Sequence, residues 1–402
     1  PFSALVPGGR LPRMDWIFAG LRRLNSQDET PGTAKEESSS VDPSSTTSTL
    51  LDSMDSLSGD LSSSVSDDDV DVVTTTANRP RYATEETVVA RDVATNKRVQ
   101  IAMKDLRYHS SGVFSNVYRG VLDGAEPQEI VCKKTFPKSA RQNTEMLLLS
   151  AMRRSRPANI IPLLYAYHTT KHGDVCECFI FPYLPQSLDN LIRHRRGERL
   201  NQVDVKIYTW QLFNGLDFLY HNMILHRDIK PDNIMIDHDK GLLQIADFGS
   251  SKVIDIDEKS TAYQVTRFYR APELLLGCMR YDGLVDVWSA GCVVGEMLKG
   301  RVLFAGRDSA DQLRMVIDCL GPPPPSFLWE MNIAPATVPS DMVDMPIGRP
   351  LEKHLPSALP EECRLLYSIL AYTPRDRLCG ERLLQHSFFS QVLSDQGQRA
   401  NG

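Results

Sequence analysis

The chain has 402 residues, of which 42% are apolar, and a formal net charge of −6. The chain has 45 basic and 51 acidic residues. Residues 1–76 contain 5 basic and 13 acidic residues, whereas residues 77–402 contain 40 basic and 38 acidic residues and are nearly neutral. This balance argues against a broad basic face for nucleic acid, and the lack of about 18 consecutive apolar residues argues against a membrane-spanning helix.

Residues 1–80 are predicted to be a disordered tail. From about Asn25 to Thr76 the sequence is dominated by Ser, Thr and Asp, and this composition cannot bury enough apolar surface to offset the entropy of the chain. The acidic, Ser-rich composition of this tract leads to the hypothesis that it is a regulatory tail. The chain starts at Pro1 without a basic-then-apolar leader, so the expected location is cytoplasmic, with the nucleus as an alternative.

Residues 81–390 are predicted to form an α+β fold with a strand-rich part before a helical part. In residues 81–181, short β-type runs such as Ile130 to Cys132 and Phe179 to Phe181 are interrupted by one helix-like stretch near residues 140–152. In residues 182–390 the spacing becomes helical, with apolar residues at Val203, Ile207, Trp210, Phe213, Leu216 and Tyr220. Val285 to Leu298 is typical of a buried helix, and residues 391–402 form a predicted C-terminal tail.

The first strands flank a candidate phosphate-covering loop. The stretch from Ser110 to Val117 keeps only the central glycine, Gly112, of the pattern GxGxxGxV, in which backbone amides approach phosphates without interference from a Cβ atom. Ser110 and Ser115 replace the other two glycines, and Ser is a small polar replacement. We therefore expect Ser110, Gly112, Ser115 and Val117 to contact a nucleotide, with weaker binding or a less mobile loop.

The next strand ends in a candidate phosphate ligand. Lys133 follows the apolar run Ile130 to Cys132, and Glu145 lies in the helix-like stretch that comes after it. Apart from Asp174, Glu145 is the only acid between Lys133 and Cys176, so it is the expected partner of Lys133.

The eight cysteines are scattered without a CxxC pair, which favours reduced thiols. His168, His172, Cys176 and Cys178 lie close together in the sequence, and all four side-chain types can ligate zinc. Their spacing fits no common zinc finger, so we expect a solvated loop between two strands rather than a metal site.

The strongest chemical signal is HRDIKPDN at residues 226–233, followed by DFG at residues 247–249. Transfer of a phosphoryl group needs a carboxylate to accept a hydroxyl proton and oxygen ligands for magnesium. Asp228 can supply the first, and Asn233 and Asp247 can supply the second, because Mg²⁺ prefers carboxylate and carbonyl oxygens. Lys230 can reach the same phosphate.

These motifs resemble those of the eukaryotic protein kinase fold over roughly residues 82–390, together with APE at residues 271–273, DVWSAG at residues 286–291 and Arg377. The resemblance implies two lobes, residues 81–181 and 182–390, with ATP and Mg²⁺ between them and protein Ser/Thr side chains as substrates. It also implies that Glu273 pairs with Arg377. An adenine hinge is implied at Pro182, Tyr183 and Leu184, and a hydrophobic stack at Leu149, His226 and Phe248.

Within protein kinases the chain resembles the glycogen synthase kinase-three family of the CMGC group. The stretches that carry this resemblance are VKIY at residues 205–208, HRDIKP, DFGSSK and YQVTRFYR at residues 263–270. MAP kinases are the nearest neighbours, because Thr261 to Tyr263 has their TxY form. A pseudokinase or scaffold, suggested by Ser110 and Ser115, is the alternative from another class.

The resemblance also bears on substrates and partners. In the glycogen synthase kinase-three family a basic trio binds a phosphate already present on the substrate; Arg227 and Lys252 match two of its members, whereas Thr144 replaces the third. We therefore expect primed phosphoproteins as substrates, with a weakened or altered priming requirement. Arg141 is a candidate to replace the cation that is missing at Thr144. Tyr263 resembles an autophosphorylated tyrosine, and docking or scaffold proteins are expected on the helical lobe.

Overall fold

The computed structural model describes residues 84–112, 115–135, 144–171, 174–254 and 266–390. Both predicted tails lie outside these ranges and stay predictions, as does the cytoplasmic location. The strand-rich part consists of β1 (Thr84–Asp92), β2 (Arg98–Ser111), β3 (Ser115–Leu122), β4 (Gln128–Thr135), α1 (Thr144–Met152), β5 (Tyr165–Lys171) and β6 (Asp174–Pro182).

The six strands pair in an antiparallel manner in the order β1, β2, β3, β4, β6, β5. Because successive side chains of a strand point to opposite faces, Ile130 and Cys132 of β4 enter the core while Lys133 faces the other way. Lys133 lies opposite Val117 of β3 and opposite Phe179 of β6. The core of this part consists of Ala90, Ile101, Met103, Leu106, Ile130, Cys132, Tyr167, Cys178 and Ile180.

The second part is mainly helical, as the apolar spacing predicted. Its helices are α2 (Leu188–His194), α3 (Gln202–His221), α4 (Pro272–Leu275), α5 (Leu284–Lys299), α6 (Ser309–Leu320), α7 (Pro325–Glu330), α8 (Leu351–His354), α9 (Pro360–Ile369) and α10 (Gly380–Leu384). Its short strands are β7 (Gln186–Ser187), β8 (Ile224–Leu225), β9 (Ile234–Asp237), β10 (Leu242–Ile245) and β11 (Lys252–Val253).

Two long helices form the centre of this part. Helix α3 begins at the N-cap Asn201, whose side chain accepts a hydrogen bond from the N–H of Asp204 and so satisfies a donor that has no partner within the helix. Helix α5 is buried along every face from Leu284 to Leu298, which is typical of a central core helix. It ends at Gly300, whose φ of 76° is the left-handed conformation that glycine adopts without strain.

Short antiparallel ladders hold the segments that carry the candidate chemistry. Strand β9 pairs with both β7 and β10, and β8 pairs with β11. The HRDIKPDN segment therefore runs from the end of β8 to the start of β9, and Asp247 follows the end of β10. Within the described ranges, no helix is both long and apolar enough to cross a membrane.

Candidate active site

Lys133, Glu145 and Asp247 are joined by ion pairs. Lys133 Nζ lies 2.8 Å from Glu145 Oε2, in the first turn of α1, and 2.8 Å from Asp247 Oδ1, just after β10. Burial lowers the pKa of Lys133, but the two carboxylates outweigh this effect and the net pKa is raised. Lys133 therefore stays charged at neutral pH and connects three segments that are distant in sequence.

Asp247 remains ionised despite its surroundings. Burial raises the pKa of its carboxyl group, but the charge and hydrogen bond of Lys133 outweigh burial, so the net pKa is lowered. Its backbone is left-handed, with φ at 60°. The next residue, Phe248, packs its ring 4.9 Å from the ring of His226, while His226 Nε2 lies 3.0 Å from the carbonyl oxygen of Ala246. The segment after β10 is thus fixed against the HRDIKPDN segment.

Asp228 has fixed hydrogen-bond partners within its own segment. Asn233 Nδ2 donates to Asp228 Oδ2 and to the Asp228 carbonyl oxygen, both at 2.8 Å, and Lys230 Nζ lies 2.9 Å from Asp228 Oδ2. These contacts use the nitrogen of the Asn233 amide. Among the described residues Asn233 Oδ1 makes no hydrogen bond, so this oxygen can serve as a ligand for a cation.

Thr266 is a site residue to which sequence analysis gave no role. Its Oγ1 donates a hydrogen bond of 2.7 Å to Asp228 Oδ1 and accepts one of 3.2 Å from Lys230 Nζ. Both carboxylate oxygens of Asp228 are therefore held in place. The only sequence signal for Thr266 was its position in the stretch YQVTRFYR, which carries the family resemblance but does not indicate this contact.

Asp286 is a second residue whose role the sequence did not reveal. Its carboxylate, near the start of α5, accepts the backbone N–H of His226 at 2.7 Å and that of Arg227 at 2.9 Å. Burial raises the pKa of Asp286, although the nearby His226 and the two N–H groups act in the opposite direction. Asp286 thus fixes the backbone immediately before Asp228.

The candidate phosphate-covering loop adjoins the Lys133 strand at Val117. The β3–β4 register places Val117 beside Lys133, where cross-strand neighbours share one face of the sheet. The N–H of Gly112 donates to the carbonyl oxygen of Ser115 at 2.8 Å, and Ser110 lies opposite Val117. Within the described residues, no hydrogen bond joins the hydroxyl of Ser110 or Ser115 to Lys133.

Pro182 is the last residue of β6, the strand that pairs with the Lys133 strand, and Tyr183 and Leu184 follow it. Pro182 lies opposite Ile130, and the N–H of Tyr183 donates to the carbonyl oxygen of Glu129 at 3.0 Å. The guanidinium carbon of Arg119 lies 3.8 Å from the centre of the Tyr183 ring. Leu184 is buried. The expected hinge is thus anchored to the sheet that carries Lys133.

The expected Glu273–Arg377 pair is present and fully buried. Arg377 Nη1 lies 2.8 Å from Glu273 Oε1, Nη2 lies 2.7 Å from Oε2, and both side chains are 0% exposed. Arg377 also donates to the carbonyl oxygens of Ala371, Leu284 and Tyr372. These bonds satisfy the guanidinium in the absence of water and tie α4 to the start of α5.

The interpretation of the His168 region as a solvated loop is wrong. His168 lies in β5, and Cys176 and Cys178 lie in β6 with their side chains buried, because the pairing of β5 with β6 continues through this region. His172 lies outside the described residues. In the part of the chain that the structure describes, no group of three or more His, Cys, Asp or Glu side chains is arranged to hold a metal ion.

The residues expected to recognise a substrate phosphate lie on separate segments. Arg227 Nε donates to the carbonyl oxygen of Ser250 at 2.7 Å, Lys252 lies in β11 opposite Leu225, and Thr144 begins α1. Arg141, Thr261 and Tyr263 lie outside the described residues, so the hypotheses about them stay predictions.

The chain is similar to known protein kinases. The family model described as the protein kinase domain matches residues 108–389. Protein kinase gsk31 of Schizosaccharomyces pombe is 34% identical over 311 residues, which cover 76% of this chain and 80% of that protein. Protein kinase MCK1 of Saccharomyces cerevisiae is 32% identical over 327 residues, which cover 76% of this chain and 84% of that protein. A Caenorhabditis elegans protein named as a serine/threonine-protein kinase, gskl-1, is 38% identical over 220 residues. These residues cover 53% of this chain and 59% of that protein.

Proposed function

This chain belongs to the protein kinase family, and from this premise we propose which of its residues carry out phosphoryl transfer. It is a serine/threonine kinase similar to glycogen synthase kinase-three, and it uses ATP and Mg²⁺ to phosphorylate proteins. The two lobes are proposed to be residues 81–181 and 182–390. One observation supports this proposal most directly. Lys133 Nζ, on the six-stranded sheet, lies 2.8 Å from Oδ1 of Asp247, a residue beside the HRDIKPDN segment.

Asp228 is the proposed catalytic base. Its carboxylate is held by Thr266 on Oδ1 and by Asn233 and Lys230 on Oδ2, so it keeps one orientation without reorganising during the reaction. A carboxylate held in this way can orient a substrate hydroxyl and accept its proton as the oxygen attacks the phosphoryl group. Lys230 can stabilise negative charge on the transferred phosphate.

Asn233 and Asp247 are proposed to hold magnesium. The free Oδ1 of Asn233 and the ionised carboxylate of Asp247 are the oxygen ligands that Mg²⁺ prefers. A metal ion held by these two residues would supply positive charge to neutralise the phosphate oxygens. Lys133, oriented by Glu145, is proposed to hold the α- and β-phosphates.

The nucleotide is proposed to lie between the hinge and the phosphate-covering loop. Pro182, Tyr183 and Leu184 would contact adenine, because they continue the strand that flanks Lys133. Val117 would contact the nucleotide from the neighbouring strand, while Ser110, Gly112 and Ser115 would cover the phosphates.

A phosphate-transfer assay tests this assignment. Wild type should transfer labelled phosphate from ATP to a primed Ser/Thr peptide, and Asp228→Asn should lose activity by about two orders of magnitude or more. Asp247→Asn should also lose the thermal stabilisation that ATP with Mg²⁺ gives to wild type. The matched control is Asp341→Asn, at an exposed carboxylate that pairs with Arg314. Nucleotide binding without transfer would support the pseudokinase alternative.

A weakened priming requirement is proposed for substrate selection. Arg227 and Lys252 supply two of the three expected cations, and Thr144 supplies none. One fewer charge-assisted hydrogen bond costs about 1.5 to 3 kcal/mol. Thr144→Arg should therefore increase the ratio of kcat/KM for primed over unprimed peptide by about tenfold or more. Ala125→Arg, in an exposed turn, is the control. An unchanged ratio in Thr144→Arg would contradict the proposal.

Docking of partner proteins is proposed on the helical lobe after Asp311. Trp329 of α7 is 85% exposed, and exposed aromatic side chains are frequent at protein interfaces. Trp329→Ala should lower kcat/KM for a folded protein substrate and leave that for a short peptide unchanged. Equal effects on both substrates would contradict a docking role.

A further inference from the structure

A cavity of about 510 Å³ lies against the C-terminal end of α1, and we name it the α1 cavity. The residues that line it include Leu149 and Met152 of α1, residues 160–164, and Gln244 of β10. Within the described part of the chain, none of the residues proposed to hold ATP or Mg²⁺ lines this cavity. Its volume lies in the range of about 300 to 1,000 Å³ that is usual for small-molecule sites.

Hydrogen bonds between the two parts of the fold fix one wall of the α1 cavity. The N–H of Ile161 donates to the carbonyl oxygen of Ile245 at 3.0 Å, and the N–H of Ile245 donates to that of Asn159 at 2.9 Å. Gln244 Nε2 donates to the carbonyl oxygen of Ala158 at 3.1 Å. The segment that follows α1 is thus attached to β10, so this wall needs little rearrangement to receive a ligand.

The inner surface of the α1 cavity is apolar. Five of its lining side chains are at most 7% exposed, namely those of Leu149, Met152, Ile160, Ile161 and Leu163. Removal of apolar surface from water is favourable, and cavities with such a lining bind apolar groups. The occupant of the α1 cavity should therefore have an apolar body.

Two arginines line the same cavity. Arg153 is partly exposed, and its Nη1 donates to the carbonyl oxygen of Ser150 at 3.0 Å. Arg156 is exposed and has a left-handed backbone, with φ at 41°, and its N–H donates to the carbonyl oxygen of Met152 at 3.2 Å. These bonds to the last turn of α1 hold both arginines beside the apolar surface.

The charged side chains that line the cavity can accept an anion. Asp92 is the only acid among the described lining residues, and its carboxylate accepts hydrogen bonds of 2.8 Å from the N–H of Ala94 and from the hydroxyl of Thr95. Neither Arg153 nor Arg156 makes an ion pair with another described residue. Two cations and one carboxylate leave a single net positive charge, which a monoanion complements.

We propose that the α1 cavity binds a small amphipathic carboxylate, with its apolar body against the buried side chains and its carboxylate at Arg153 and Arg156. Guanidinium groups match a carboxylate with paired N–H donors. Leu149 and Met152 belong to the helix that carries Glu145, the partner of Lys133. A ligand in the cavity therefore packs against this helix and stabilises its position.

Hydrogen–deuterium exchange of the full chain, measured by peptide mass spectrometry, tests this site with decanoate as the probe. Decanoate should slow amide exchange by about threefold or more in peptides that cover residues 144–164, because a ligand that binds the folded state opposes local opening. Acetate lacks the apolar body, and decyltrimethylammonium has the same chain length with the opposite charge. Neither should slow exchange in these peptides. The proposal is overturned if decanoate has no effect there, or if decyltrimethylammonium has an equal effect.

Variants of the cavity make the test specific. Isothermal titration calorimetry should give a Kd for decanoate that is about tenfold or more higher in Arg153→Gln/Arg156→Gln than in wild type, because charge-assisted hydrogen bonds are lost. Arg364→Gln/Arg382→Gln removes two exposed arginines elsewhere and should bind decanoate as wild type does. Equal Kd values in the two double variants would contradict recognition of the carboxylate by Arg153 and Arg156.

Ala158→Phe tests the location of the ligand without a change of charge. Ala158 is exposed and lines the cavity, so a larger side chain at this position should occupy part of the space while the fold is kept. We expect the Kd for decanoate to rise by about tenfold or more, as expected when a ligand loses its apolar contacts. An unchanged Kd in Ala158→Phe would show that decanoate binds outside the α1 cavity and would overturn the proposal.

Discussion

Asp286 on α5 accepts the backbone N–H of Arg227 at 2.9 Å, and Arg227 has a left-handed φ of 64°. A residue with a side chain adopts this conformation at a cost of the order of 1 kcal/mol or more, so surrounding contacts must compensate. The second bond of Asp286, to the N–H of His226 at 2.7 Å, completes a two-point attachment. The core helix thereby sets the position of the residue that immediately precedes Asp228.

Asp286→Asn should weaken this attachment, because an amide offers one acceptor oxygen and turns its NH₂ group towards a backbone N–H. We expect a loss of about 1 to 3 kcal/mol in the free energy of unfolding and a fall in kcat at temperatures where the fold persists. Urea denaturation and steady-state kinetics measure the two effects. Asp341→Asn is the exposed control, and unchanged stability and kcat in Asp286→Asn would contradict the positioning role.

Thr266 should affect kcat through the orientation of Asp228. Thr266→Ala removes the donor to Asp228 Oδ1 and the acceptor for Lys230 Nζ, so we expect kcat to fall by about tenfold with little change in KM. Thr266→Ser keeps the hydroxyl and should restore most of the activity. A defect of equal size in Thr266→Ser would indicate packing of the methyl group instead.

The sequence predicted the parts of the site whose chemistry depends on the order of residues in the chain. HRDIKPDN and DFG predicted Asp228, Asn233 and Asp247 as site residues, and their roles stay proposals. The lack of competing acids predicted Glu145 as the partner of Lys133, and the 2.8 Å contact confirms this pairing. Apolar spacing likewise predicted α3 and α5, because a strongly periodic pattern is typical of long helices.

Other features depend on tertiary contacts that no local pattern encodes. The bond from Thr266 to Asp228 joins residues 38 positions apart, and those from Asp286 to His226 and Arg227 span about 60. The positions of Thr266 and Asp286 in the sequence do not indicate these distant partners. The solvated loop expected around His168 was wrong because the polar side chains of this stretch concealed two paired strands, in which Cys176, Glu177 and Cys178 are all buried.

Glu145→Gln should impair ATP use rather than folding. Glu145 is 2% exposed and holds Lys133 by hydrogen bonds of 2.8 and 3.0 Å. Loss of its charge leaves Lys133 to Asp247 alone, and we expect kcat/KM for ATP to fall by about 10- to 100-fold. Glu330→Gln, at a half-buried carboxylate that pairs with Arg375 in the helical part, is the matched control. Equal kinetics of Glu145→Gln and wild type would remove Glu145 from the site.

The buried Glu273–Arg377 pair should show strong energetic coupling. Removal of one partner leaves an uncompensated buried charge, so Glu273→Gln and Arg377→Met should each cost about 3 to 5 kcal/mol in the free energy of unfolding. The double variant should lose clearly less than the sum of the single losses. Urea denaturation of all four proteins measures the cycle, and additive losses would show that the two charges do not interact.

Glu296 should make the stability of the helical part depend on pH. The residue lies in α5, is buried, and accepts a hydrogen bond of 2.8 Å from Tyr269 Oη. Burial raises the pKa of its carboxyl group from an ordinary value of 4.5 to about 7; Tyr269 opposes this shift, whereas the charges of Asp189 and Asp232 add to it. The folded state therefore keeps the proton of Glu296 over a range in which the unfolded state has already released it.

Between pH 4.5 and 7 the folded protein binds more protons at this group than the unfolded protein, so its stabilising effect is complete below pH 4.5 and is lost as the pH rises through 7. At about 1.4 kcal/mol per pH unit, wild type should lose about 3 kcal/mol over this range relative to Glu296→Gln, which keeps the acceptor for Tyr269 but cannot ionise. Urea denaturation of both proteins between pH 4.5 and 8 measures this difference. Parallel stability curves would show that Glu296 titrates alike in the folded and unfolded states.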